Sequence, residues 1–289
     1  MDVEQIERIR AFNRYYTQHL GLLTDSYLGQ DRALGPARLL YEIGERADLR
    51  ELRVRLGLDA GYLSRLLRAL QEQGLIAVRP HPEDGRVRVA ELTEAGRRER
   101  AELDERSRRA IADSLGGLDE GQRAELVAAQ GAVHRLLRVA ATTITAVDPA
   151  AAEARECLRR YAAELAKRFP EGYDAGALTE PDQVDGTMLV VRESGRAVGC
   201  GLWTRLGGGV AELRHLWIAE DARGAGLGRR LLGALEADAA GQGIVAIRLG
   251  THRMLTEAIA LYRGAGYTEI ANYSGSPYNQ LTFEKTALG

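Results

Sequence analysis

The amino-acid sequence predicts a multidomain protein, with a mostly α-helical first half followed by an α/β second half. Three observations predict it. A length of 289 residues suits two domains that each bury a core of their own. Up to about residue 142 apolar residues recur at helical spacing, interrupted only by an alternating stretch near 78–92. After about residue 185 strand-like runs take over at 187–191, 197–203, 210–218 and 244–249, separated by helices and glycine-rich turns. Asp148-Pro149 punctuates the change, because proline disfavours helix at the residue before it. The join is placed at 143–150, which gives domains at 1–145 and 150–289.

Composition narrows the function classes. Charged residues are 28% and the net charge is only -2, so any surface for a polyanion must be local. No stretch approaches the roughly 18 apolar residues that span a bilayer, and no basic segment followed by an apolar run opens the chain. The expectation is a soluble, cytoplasmic protein with no membrane partner. Cys157 and Cys200 stand in unlike contexts without CxxC spacing, which argues against a disulfide framework or a zinc site; no metal is expected.

In the first helix Ile6, Ile9, Tyr16, Leu20 and Leu23 form one apolar stripe. Helices at roughly 94–113 and 119–142 carry similar stripes, including Leu126, Val133, Leu136, Leu137 and Ala140. Such stripes either pack on their own domain or pair with a second chain, and periodicity leaves both open.

Residues 49–56, then Gly57-Leu58-Asp59, then 60–73 read as helix, tight turn, helix. Gly57 supplies backbone freedom, and Asp59 is a good N-cap for the second helix. Helical spacing gathers Leu63, Leu66, Leu67 and Leu70 on one side and Gly61, Ser64, Arg65 and Arg68 on the other. A small, polar, cationic face is what entry into a DNA major groove requires, since arginine pairs with guanine edges or phosphates. Downstream, Val78-Arg79 and 86–92 read as two strands of a hairpin. Arg86 and Arg88 alternate with valines and so share one face, forming a basic wing. Between residues 46 and 88 nine arginines face six acids, a local excess of positive charge where phosphate contacts need it.

The run 58–67 (Leu-Asp-Ala-Gly-Tyr-Leu-Ser-Arg-Leu-Leu), the wing Asp84-Gly85-Arg86 and the closing Leu92-Thr93-Glu94-Ala95-Gly96 resemble MarR-type regulators over about residues 1–142. The resemblance implies a winged helix-turn-helix, a homodimer formed through the terminal helices, and a double-stranded, pseudo-palindromic DNA operator. Asp84 is expected to orient a basic residue.

In the second half, strand 210–218 runs into Arg223-Gly224-Ala225-Gly226-Leu227-Gly228-Arg229 and then a helix with Leu231, Leu232 and Leu235. Strand, glycine-rich turn and helix N-terminus present backbone N–H groups in a positive field, a site for pyrophosphate. No acid follows Leu249-Gly250 to hold a ribose, and no Gly-Lys-Ser/Thr follows the turn, which disfavours a dinucleotide fold or a P-loop.

Arg223-x-x-Gly226-x-Gly228, with 257–267 (Glu-Ala-Ile-Ala-Leu-Tyr-Arg-x-x-Gly-Tyr) downstream, is similar to the two cofactor elements of the GNAT acetyltransferases over about residues 150–289. The whole chain thus resembles a MarR module fused to a GNAT module. The resemblance implies a GNAT fold with a mixed, mainly antiparallel sheet and acetyl-CoA as co-substrate. It assigns the backbone amides of Gly224, Gly226, Gly228 and Arg229 to the pyrophosphate, with Arg223, Ala225 and Leu227 also among the cofactor-binding residues, and the edge of Leu216, Trp217 and Ile218 to the pantetheine arm. Tyr262 would protonate the departing thiolate. Glu212 would be the general base, with His215 an alternate. His252 stands at the cofactor position where relatives commonly carry asparagine, Gly250 where many carry an acid, and the tail 273–279 lacks acids common nearby. Two functions are expected: a DNA-binding regulator that also acetylates a small amine, or a sensor whose second domain only binds acetyl-CoA or a metabolite and modulates operator binding.

Overall fold

The computed structural model describes residues 2–21, 28, 33–81, 85 and 87–286. The chain divides into two compact units, 1–128 and 129–289.

The first unit contains helices α1 (Val3–His19), α2 (Leu34–Ile43), α3 (Leu49–Leu56), α4 (Ala60–Glu72) and α5 (Glu94–Leu115), while α6 (Glu120–Ala140) spans the division. Its small antiparallel sheet has the order β1 (Arg46–Asp48), β3 (Arg88–Leu92), β2 (Ile76–Pro80). Local chemistry sets the helix ends. Asp48 caps α3 by accepting from Arg50 N at 2.6 Å, the helix stops at left-handed Gly57, and Asp59 caps α4 by accepting from Tyr62 N at 2.8 Å. Leu63, Leu66, Leu67 and Leu70 then bury against Leu39, Leu40, Ile43 and Leu52, each contributing about 1.5–3 kcal/mol. Thr93 caps α5 by accepting from Gly96 N and donates its hydroxyl to Gly74 O at 2.7 Å. A Cβ on Gly96 would stand 2.0 Å from Leu75 O, so this close approach explains the Leu-Thr-x-x-Gly signature. β1 and the three-stranded sheet add to the two-stranded wing read from the sequence.

In the second unit a seven-stranded sheet has the order β4 (Thr142–Val147), β5 (Thr187–Glu193), β6 (Arg196–Gly207), β7 (Val210–Ile218), β8 (Ala246–Thr251), β10 (Leu281–Lys285), β9 (Thr268–Ile270). Every pairing is antiparallel except β7 with β8. Helices α7 (Ala152–Arg168), α8 (Leu227–Gly241) and α9 (Thr256–Gly264) complete it. The core gathers Val190, Leu202, Trp203, Leu213, Leu231, Leu235, Ile247, Leu249 and Phe283. Residues 142–147, placed largely in the join by sequence reasoning, instead form edge strand β4; the alternation that would reveal it is too short beside the preceding helix. Cys157 and Cys200 are both free and buried, and the Cys200 thiol donates to His215 O at 3.8 Å.

Candidate functional site

On the first unit, Gly61, Ser64, Arg65 and Arg68 are exposed along α4 on the side opposite its buried leucines. Arg65 lies over the Tyr62 ring at 5.6 Å. Arg88 is exposed at the start of β3, while its neighbour Val89 is buried. Arg86 and Asp84 lie outside the described residues. Several other arginines of this unit are committed to acids: Arg38 and Arg55 to Glu42, Arg46 to Glu91, Arg97 to Glu45 and Glu94. Among the described residues Arg65, Arg68 and Arg88 have no carboxylate partner, so their charge is directed outward.

The second unit builds a cleft where its sheet opens. β7 and β8 pair only from Val210–Ala246 to Leu213–Leu249, yet β7 runs on to Ile218 and β8 to Thr251. The divergence begins at a bulge: His215 and Leu216 of β7 stand against Gly201 alone on β6, and His215 adopts φ 55°. Leu216, Trp217 and Ile218 therefore present a backbone edge toward β8 without a strand partner. The cleft occupies about 690 Å³ counted to its open mouth and is lined by Glu212, His215, Leu216, His252 and Tyr262 among others.

At the end of β7 the chain enters the glycine turn. Gly224 and Gly226 adopt φ 81° and 78°, values that L side chains rarely take. α8 starts with Gly226 as N-cap and no side-chain cap, so the first-turn amides of Leu227, Gly228 and Arg229 have no protein acceptor among the described residues. A Cβ at Gly228 would make ordinary contact with Leu261, so no internal crowding calls for glycine there; its absence leaves the amides approachable. Ala225 and Leu227 are buried beneath the turn. Arg223 is placed as a brace: its Nε donates to Ile218 O at 2.9 Å, its guanidinium reaches Glu164, and its own amide donates to Glu220 O. Trp217 Nε1 also donates to Glu164, at 2.8 Å. Burial alone would raise the Glu164 carboxyl, but hydrogen bonds from Arg223 and Trp217 outweigh it and hold it below the usual carboxylate range.

Inside the cleft, Tyr262 is buried and its phenol is pushed up by desolvation, so it keeps its proton at neutral pH. Glu212 is half-buried and accepts from the Tyr273 hydroxyl at 3.0 Å. His215 is excluded as a working base by its surroundings. Burial, then the nearby Arg214 charge, lowers it to about 3, and Nε2 already accepts from Thr179 N at 3.0 Å. His252 is equally committed. Its Nδ1 accepts from Met254 N, so Nε2 carries the proton and faces Glu171 at 2.9 Å, while the ring stacks on Phe169 at 4.0 Å. The absent acid at Gly250 also has a local reason: a Cβ there would stand 2.2 Å from Asn279, whose side chain lies over the strand.

Sequence reasoning missed Arg214, Phe169 and Tyr173, and it placed the tail with Tyr273 and Tyr278 at the pocket border without giving either tyrosine a role; all lie in or beside this cleft. The available signal was the clustering of Tyr161, Phe169 and Tyr173 in a chain only 6% aromatic.

Comparisons with known proteins match this division. Residues 35–87 match the MarR family and residues 152–267 match the Acetyltransferase (GNAT) family. A curated relative, IAA acetyltransferase of Azospirillum brasilense, is 37% identical over 97 residues, which is 33% of this chain and 61% of that protein. Among solved structures, a GNAT-family acetyltransferase from Staphylococcus aureus shares 17% identity, covering 50% of this chain and 98% of the other at a TM-score of 0.42. The PcaV transcriptional regulator from Streptomyces coelicolor shares 22% identity, covering 45% and 95%, at a TM-score of 0.37.

Proposed function

Since the chain joins a MarR-family domain to a GNAT-family acetyltransferase domain, we propose that it is a DNA-binding regulator that also transfers the acetyl group of acetyl-CoA to a small amine. The observation that carries the transfer reading is the parting of β7 from β8 directly before an uncapped glycine turn.

The acetyl-CoA site fits the residues present. Amides of 224–229 face a diphosphate in the field of the α8 N-terminus, and the free edge of Leu216–Ile218 receives an extended amide-bearing arm by strand-like hydrogen bonds. Acetyl-CoA supplies an activated acyl carbon and a thiolate leaving group. Within the chain, Glu212 takes a proton from the acceptor ammonium, directly or through water, so that nitrogen can attack. Tyr262, kept protonated by burial, donates the proton that the departing sulfur needs and regains one from the attacking nitrogen as the amide forms, directly or through water, while the proton on Glu212 passes to solvent. Tyr273 holds Glu212 in place through its hydroxyl. No cysteine enters the cleft lining, so attack is direct and not through an acyl-enzyme.

On DNA, α4 enters the major groove with Gly61, Ser64, Arg65 and Arg68 outward, and Arg88 with Arg86 contacts the backbone beside it. A homodimer supplies two such helices for an operator with two half-sites. α1 leaves Ile9, Phe12 and Tyr15, and α6 separately leaves Leu136 and Leu137, half or more exposed in the single chain, apolar surfaces each suited to a second copy.

Free-thiol release is measured with acetyl-CoA and an amine panel. Turnover is expected to fall about 100-fold in Tyr262→Phe and in Glu212→Gln, the scale of general acid–base catalysis. Tight CoA binding with no turnover above these variants would favour the sensor reading instead.

A further inference from the structure

We infer that the acceptor is an amino acid with an aromatic side chain, its carboxylate held by Arg214 beside Glu212. This rests on reading the cleft as an acetyl-transfer site.

Arginines around the cleft are otherwise committed. Arg248 donates to Glu284 at 2.7 Å, Arg168 reaches Glu164 and Glu257, and Arg223 binds Glu164 and Ile218 O. Arg214 lines the cleft with one carboxylate contact, Nε to Glu212 Oε2 at 3.6 Å, too long for a hydrogen bond. Its guanidinium fork thus has no acceptor assigned within the described residues. Apart from Glu212, the groups that feel its charge, Tyr161, Tyr173, Tyr273 and His215, are neutral at physiological pH. A planar fork with open donors in a half-buried cleft suits bidentate capture of a carboxylate.

Glu212 supplies the complementary charge. With Tyr273 on one oxygen, its carboxylate faces the same cleft within 3.6 Å of Arg214. A negative and a positive group at that separation match an ammonium and a carboxylate borne on one carbon, and place the nucleophilic nitrogen on the base. The third wall is aromatic. Tyr173 and Tyr278 have ring centroids 4.6 Å apart, and Phe169 stands 6.2 and 6.0 Å from them, all lining the cleft. Such rings pack an aromatic side chain edge-to-face or offset.

The test compares phenylalanine, leucine and phenethylamine. Each is titrated calorimetrically into the full chain with CoA present, and each is assayed for thiol release with acetyl-CoA. Phenylalanine is expected to bind at least tenfold more tightly than either analogue. Arg214→Gln should bring the preference for phenylalanine over phenethylamine to near unity, and Arg214→Lys should retain part of it. A merely structural arginine would weaken both ligands alike and leave the ratio intact, which would overturn the assignment. Equal binding of phenethylamine in the native chain, or binding of neither, would overturn it as well; leucine equalling phenylalanine would remove the aromatic part. Acetylation of amines regardless of a carboxylate would leave the transfer reading standing and this inference refuted. Arg214-dependent binding without thiol release would do the reverse.

Discussion

The two helices to which the proposed functions fall, α4 and α8, differ at their N-termini. α4 is capped by the Asp59 carboxylate, which accepts from Tyr62 N, and its outward face is made of polar side chains. α8 is opened by Gly226, which offers no side-chain cap, so its first-turn amides stay open for the proposed diphosphate while its leucines build core. The units differ in the same sense inside. Among the described residues the first unit buries apolar side chains alone, whereas the second also buries five threonines and two histidines, of which Thr251, His215 and His252 line its cleft. A surface reader needs a rigid apolar base; a chemical cleft needs polar groups fixed in place, at a cost in stability.

The comparison breaks most sharply if α8 is given the cap that α4 has. Gly226→Asp places a carboxylate where the diphosphate binds and tolerates the left-handed conformation better than most residues. CoA affinity is expected to fall at least 100-fold by calorimetry, with about 1 kcal/mol of stability lost to the left-handed φ. Retained affinity would show that the amides are not the ligand site. Next in size, Arg65→Ala on α4 should cost about 1–3 kcal/mol of operator affinity in retardation assays, with a shallower salt dependence. CoA binding is the control that should not move.

The buried histidine sharpens the contrast in the interiors. An unfolded histidine titrates near 6.5, whereas folded His215 titrates at about 3. Between those values the unfolded chain binds the proton and the folded one does not. Stability therefore falls as pH drops through that window, by at most about 1.4 kcal/mol per pH unit. Urea unfolding at pH 7.5, 6.0 and 5.0 should show a weaker pH slope in His215→Asn, a substitution that suits φ 55°. The smallest effect is expected from Asp59→Ala, about 1 kcal/mol of stability in the first unit through loss of the cap. A larger loss of DNA affinity than Arg65→Ala gives would mean that Asp59 does more than cap.

What was legible in the sequence is what neighbours along the chain decide. The leucine stripe and polar face of α4, the Asp59 cap, the Thr93–Gly96 start of α5 and the glycine turn into α8 all depend on spacings of four residues or fewer, where backbone geometry fixes which groups meet. Glu212 and Tyr262 could be nominated by motif, but nothing local places them in one cleft. The strand β4 and the arrest of β7–β8 pairing at Leu213–Leu249 depend on partners far away in sequence. So does the bulge that turns His215 inward onto Thr179, the hydroxyl of Tyr273 on Glu212, and Asn279 lying over Gly250. The sequence by itself determined which helices form and which of their faces is apolar, because helix periodicity and capping are short-range. Only the tertiary structure decided which charges remain uncommitted in the cleft, because that depends on which distant side chains arrive to neutralise them.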